Sequence, residues 1–157
     1  MQPLIHTYAP ELQVSNWVNT EKELSIQEHR GKVIVIYAFQ MLCPGCISYC
    51  IPQAKKMSQL FSSEEILLIG LHSVFEHHDV MGIDALNVFI HEYKLAFPVA
   101  VDQASTDSTI PQTMSAYRLN GTPSLIIIDK QGLIRVNQLG HVDDMLVGKI
   151  LGQLMSE

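Results

Sequence analysis

The sequence predicts an α/β domain with a mixed central sheet flanked by helices, and three observations carry that prediction. Short apolar runs rich in β-branched residues, at 33–39, 66–71 and 124–128, alternate with longer stretches whose apolar residues recur at helical spacing. The last run is followed by a turn and an alternating segment, so an antiparallel hairpin should close a sheet whose earlier strands are joined through helices. The 157 residues are 47% hydrophobic, with no repeat or low-complexity tract, which suits one domain over 1–157 with a substantial core.

Residues 1–30 show no clear period and are expected to form an N-terminal extension. The run VIVIYAF at 33–39 is apolar at every position, as expected of a strand buried on both faces. From 44 to 61, Ile47, Ile51, Ala54, Met57, Leu60 and Phe61 mark one face of a helix, with Lys55 and Lys56 on the other. Pro52 should kink that helix, because it lacks an N–H and its ring crowds the carbonyl one turn back. A second buried strand, 66–71, leads through a His-rich loop to a helix over 83–93 carried by Ile83, Leu86, Val88, Phe89, Ile90 and Tyr93. After Phe97-Pro98-Val99-Ala100-Val101 come a polar loop and a short helical stretch at 111–118. Gly121-Thr122-Pro123 introduces the strand 124–128, the turn 129–132 and the alternating strand 133–136. Val142, Met145, Leu146, Ile150, Leu151 and Leu154 place a closing helix over 142–155.

Ten Lys plus Arg against 16 Asp plus Glu leave a charge of −6, which disfavours a nonspecific nucleic-acid partner. The start MQPLIHTYAPELQ lacks the basic and apolar regions of a secretory signal, and no run is long enough to span a bilayer, so the expectation is a soluble, cytoplasmic protein without a membrane partner. In a reducing compartment three cysteines point to catalysis, metal binding or incidental use more than to a structural disulfide framework.

Two of them form Cys43-Pro44-Gly45-Cys46, directly after the first strand and at the start of the first helix. With Cys43 as N-cap, Pro44 suits the first helical position and Gly45 keeps the approach open. The free N–H groups and dipole of the helix start favour a thiolate on Cys43, the expected nucleophile. Cys46, about one turn on, is the expected resolving thiol. Cys43 would attack a disulfide in a protein or small-thiol substrate, and Cys46 would release the reduced product; a thiol donor would restore the dithiol. This chemistry needs no metal or organic cofactor beyond the redox-active disulfide. A zinc site is the other use of such a pair, but no second CxxC or HxxxH follows.

Together with Ala9-Pro10-Glu11-Leu12, Gly31-Lys32-Val33-Ile34-Val35, Gly121-Thr122-Pro123 and Ile128-Asp129-Lys130-Gln131-Gly132, the CPGC motif gives a chain that resembles the redoxin group of thioredoxin-fold proteins, which includes disulfide reductases and peroxiredoxins. The resemblance implies a thioredoxin-like fold and a cis Pro123 facing the dithiol. It also implies a substrate surface in which Thr122 offers backbone hydrogen bonds to an extended segment, with Pro44 and Gly45 beside it. The chain departs from the family in its helper groups. Tyr37 and Leu42 stand where relatives often have an acid or amide and an aromatic residue, and Tyr49 or Cys50 stands where many carry a helix glutamate.

His72, with Ser73 beside it and Glu76 on the following loop, is the candidate substitute, since it should emerge at the strand ends and could titrate near neutrality. Cys50 is expected as a small buried residue, with a backup resolving role as the sharper reading. Two alternatives stay open. A peroxiredoxin-type thiol peroxidase would need a threonine and a proline where this chain has Gln40 and Ile36. A copper- or zinc-handling module could combine Cys46 and Cys50 with His72, His77, His78 and Asp79. Reduction potential, direction of electron flow and oligomeric state are not set by the motif.

Overall fold

The computed structural model describes residues 2–157, which build a six-stranded mixed sheet. Its strands are β1 (Val14–Val18), β2 (Val33–Phe39), β3 (Ile66–His72), β4 (Val99–Asp102), β5 (Ser124–Ile128) and β6 (Ile134–Leu139), in the spatial order β1-β4-β3-β2-β5-β6. β2, β3 and β4 run parallel, while β1 on β4, β5 on β2 and β6 on β5 pair antiparallel. Every residue of β2 is buried, because it lies between β3 and β5 with side chains covered on both faces. Val33, Val35, Tyr37 and Phe39 point into one core and Ile34, Ile36 and Ala38 into the other, as the two-residue period of a strand requires.

The first core is closed by α1 (Ile51–Leu60), α2 (Ile83–Glu92) and α4 (Asp144–Ser156), through residues such as Ala54, Leu86, Phe89 and Leu151. The second is closed by α3 (Gln112–Ala116), which contributes Met114, and by the N-terminal segment, which contributes Ile26 and packs Leu12 and Trp17 alongside. The extension thus includes an edge strand, although its burial pattern is only half inward. Its order comes from distant partners. The Glu11 carboxylate accepts hydrogen bonds from the Ser25 hydroxyl at 2.8 Å and from the backbone of Ile26 and Gln27 at 2.9 and 2.7 Å. The Tyr117 hydroxyl donates to the Pro10 carbonyl at 2.6 Å.

The helix expected from residue 44 begins there but changes its winding before Pro52. Residues 44 and 45 are α-helical, Cys46–Cys50 form a π-helical turn, and α1 follows with Pro52 in its first turn. The Ile51 N–H reaches back five residues to the Cys46 carbonyl. Pro52 thus follows a wide turn, which makes room for its ring. Leu60, Met145 and Leu146, assigned to inward stripes, are instead 77%, 84% and 48% exposed. Met57, Val147, Leu151 and Leu154 fill that core without them.

Candidate active site

Where β2 ends, the chain turns through Gln40, Met41 and Leu42 into the helix that carries the dithiol. The Cys43 N–H closes this turn on the Gln40 carbonyl at 3.2 Å, and the Met41 N–H donates to His72 Nε2 at 3.4 Å. Cys43 then caps the helix: its carbonyl accepts from Ile47 N at 3.1 Å and its Sγ accepts from Cys46 N at 3.3 Å. A sulfur anion accepts such a bond more strongly than a thiol does. Cys43 is half-buried, whereas Cys46 and Cys50 are 0% and 3% exposed, and all three are free thiols.

Opposite the dithiol lies the turn before β5. The Thr122–Pro123 peptide bond is cis, and the Thr122 carbonyl accepts from the Cys43 thiol at 3.5 Å. Pro123 packs so closely on the helix start that a Cβ at position 45 would sit 3.3 Å from its Cδ, which accounts for Gly45. The turn is fixed by Ser124 Oγ donating to the Gly121 carbonyl at 2.8 Å and Gly140 N donating to the Pro123 carbonyl at 2.8 Å. Cys43, Gly45, Cys46, Thr122 and Pro123 thus meet in one place, with Pro44 exposed at the rim.

The two thiols differ by environment. Burial, and next its hydrogen bond to Cys43, push the Cys46 thiol up to about 12, while the Gln40 backbone and the Thr122 side chain pull the other way through hydrogen bonds of their own. Cys46 therefore holds its proton at neutral pH. Cys50 is pushed well above an ordinary thiol by burial and then by the neighbouring Cys46 and Cys43. It lies beside Tyr37, Gln53, Pro123 and His141 around a small internal gap. A thiol so placed is a poor nucleophile, which favours the packing role.

The candidate helpers separate. His72 is 1% exposed, its ring packs 5.2 Å from Phe39, and burial pushes its imidazole down to about 4. The expected titration near neutrality is thus displaced. The neutral ring accepts the Met41 N–H and holds the loop before Cys43. Ser73 turns away to Asp102, donating to Oδ2 at 2.8 Å; that carboxylate also accepts from Thr113 N and Met114 N at 2.7 and 2.9 Å. Glu76 is exposed and reaches the site through Gln40, whose Nε2 lies 3.4 Å from its Oε1. Tyr37 donates to Gln53 Oε1 at 2.6 Å, and Gln53 Nε2 donates to the Val142 carbonyl at 2.8 Å and to Asp144 Oδ1 at 2.7 Å. Burial pushes the Tyr37 phenol up, so it remains a donor and does not reproduce an ionisable acid. His77, His78 and Asp79 are exposed on the loop after β3, and among the described residues no three His, Cys, Asp or Glu side chains converge as metal ligands.

Gln40 is the site residue that periodicity did not find. It is 1% exposed, and its side chain links three loops: Oε1 accepts from Phe75 N at 3.2 Å, and Nε2 approaches Glu76 Oε1 and Thr122 Oγ1, the latter at 3.5 Å. A polar residue closing an otherwise apolar strand, three positions before the first cysteine, was the available signal.

The AhpC/TSA family profile matches residues 5–137. Among solved structures, a thiol-disulfide isomerase from Corynebacterium glutamicum is 52% identical, with a TM-score of 0.90 over 95% of this chain and 97% of that one. A thioredoxin-like superfamily protein is 47% identical, with a TM-score of 0.93 over 96% and 97% of the two chains. A thioredoxin-like protein in its oxidised form, at 19% identity and a TM-score of 0.77 over 96% of each chain, shares the fold. No curated protein matches the chain.

Proposed function

The chain belongs to the AhpC/TSA family, and on that premise we propose that it is a thiol:disulfide oxidoreductase acting on protein disulfides through Cys43 and Cys46. The observation that carries this reading is the asymmetry of the pair. Half-buried Cys43 accepts the Cys46 N–H at 3.3 Å and faces the Thr122 carbonyl, while Cys46 is enclosed behind it. The Cys43 thiolate attacks one sulfur of the substrate disulfide, forming a mixed disulfide and expelling the other sulfur as a thiolate. Cys46 gives up its proton to solvent and attacks Cys43 Sγ. The internal disulfide forms, the second substrate thiolate leaves, and two electrons have passed to the substrate.

An extended substrate segment lies along Thr122–Pro123, with Pro44 and Gly45 beneath it, and a thiol donor regenerates the dithiol. The reaction runs on the dithiol without another cofactor. The setting that goes with this reading is a reducing, cytoplasmic one, where thiols are kept reduced. A peroxidase mechanism is less well served, since buried Gln40 and Ile36 occupy the positions where peroxiredoxins place their activating threonine and proline. Dithiothreitol-driven reduction of insulin disulfides tests the proposal. Wild type should turn over and Cys43→Ser should not; undiminished activity in Cys43→Ser would refute it.

A further inference from the structure

Given the oxidoreductase reading, we propose that Glu76 selects the substrate by charge. Its carboxylate at the rim of the dithiol favours a disulfide with lysine or arginine beside the cysteine and disfavours anionic small disulfides such as oxidised glutathione. Position carries the inference. Gln40 is 1% exposed, and its Nε2 lies 3.4 Å from Glu76 Oε1 and 3.5 Å from Thr122 Oγ1. Carboxylate and hydroxyl thus flank one nitrogen and lie at most about 7 Å apart. Gln40 also anchors the preceding residue, its Oε1 accepting from Phe75 N at 3.2 Å. Glu76 is therefore an exposed acid on a tethered loop, beside the Thr122 whose carbonyl faces the Cys43 thiol at 3.5 Å.

The sequence leaves that charge unopposed in the segments around it. The stretches 40–50 and 119–125, which carry the dithiol and the cis proline, contain no Asp, Glu, Lys or Arg, and 139–142 adds only His141. Beyond them, Asp143 caps α4 through Met145 N and Leu146 N, and Asp144 is paired with Lys56 at 2.9 Å. On the loop of Glu76 itself, exposed Asp79 has the same sign, with His77 and His78 between the two acids. The Gln40 amide that holds Glu76 is neutral, so the contact does not cancel the charge. A substrate segment along Thr122–Pro123 carries the side chains next to its cysteine past Glu76, and the long stem of Lys or Arg reaches across such a distance. Oxidised glutathione brings carboxylates to the same place. Charge complementarity of this kind sets partner choice and encounter rate more than it sets the chemistry at sulfur.

Internal competition measures the selection. Two peptides closed by the same disulfide, identical except for Lys or Glu beside one cysteine, are mixed in equal amounts and in excess over the reduced protein. The reaction is acid-quenched at low conversion and the products are read by mass spectrometry. Their ratio is the ratio of the two kcat/KM values, so loss of active protein does not affect it. At low ionic strength Glu76→Gln should lower the wild-type Lys-to-Glu ratio by about threefold to tenfold, and Glu76→Lys should lower it further. Competition of the Lys peptide with oxidised glutathione should shift towards glutathione in the same order. About 1 M salt, with a screening length of about 3 Å, should bring the three proteins together. Glu64→Lys changes the net charge as much as Glu76→Lys does, but Glu64 precedes β3 at the end of the sheet away from the dithiol, so it should keep the wild-type ratio. A ratio unchanged in both Glu76 variants, a difference that survives high salt, or an equal shift in Glu64→Lys would overturn the assignment. Failure of the underlying reading looks different: wild type would reduce neither peptide, or Cys43→Ser would reduce both as fast as wild type.

Discussion

Acidification gives a quantitative test of how His72 is held. Burial, with the Phe39 ring packed against it, lowers its folded pKa from 6.5 to about 4. Because the folded value is depressed, the unfolded chain takes up the proton first as pH falls. The stability this neutral ring contributes is complete above about pH 6.5, declines as pH falls below that value, and is exhausted near pH 4. At 1.36 kcal/mol per unit, a shift from 6.5 to about 4 corresponds to about 3 kcal/mol in total, of which about 2 kcal/mol is lost between pH 7 and pH 5. That is a large share of a small domain's stability, typically about 5–15 kcal/mol.

Urea unfolding of wild type and His72→Gln at both pH values isolates the effect. Gln can still accept the Met41 N–H but does not titrate, and the other groups, including Asp102 whose carboxyl burial pushes upward, are common to both proteins. Wild type should lose about 2 kcal/mol more than the variant on going to pH 5, seen as a fall in midpoint at constant slope. Equal losses in the two proteins would show that His72 is not buried as described.

Two further substitutions probe the frame around the site. Gly45→Ala adds a methyl 3.3 Å from Pro123 Cδ at a position with helical backbone angles (φ −65°), so the gain in helix propensity of about 0.8–1 kcal/mol offsets the crowding. Denaturant midpoints should stay close to wild type while insulin reduction falls severalfold as Pro123 is displaced; lost stability with full activity would contradict the close approach. Asp143→Ala removes the cap of α4, whose carboxylate accepts from Met145 N at 2.9 Å and Leu146 N at 3.2 Å, and should cost about 1 kcal/mol in thermal or urea unfolding without altering turnover.

The parts of the fold that rest on local pattern were legible in the chain. β2, β3 and β5 announce themselves because every side chain along them is buried, and α2 because Leu86, Phe89 and Ile90 recur at helical spacing. β1 was not legible, since an edge strand with two outward residues in succession carries no period and gains its order from pairing with β4, far along the chain. The site divides the same way. The dithiol at a strand-to-helix junction and the Gly121-Thr122-Pro123 turn are local motifs, so both could be named in advance. His72 could be placed at a strand end, but its low pKa depends on its burial, which comes with the sheet register that sets it beside Phe39. Gln40 was noticed for what it is not, a threonine, because its value lies in joining loops up to 82 positions apart.

The central claim is that Cys43 and Cys46 form the redox couple while Cys50 stays apart, and peptide mapping of the oxidised protein tests it most directly. After reaction with one equivalent of a disulfide and blocking of the remaining thiols, mass spectrometry should find Cys43 linked to Cys46 and Cys50 carrying the blocking group. A disulfide involving Cys50, or three blocked thiols and no linkage, would contradict it.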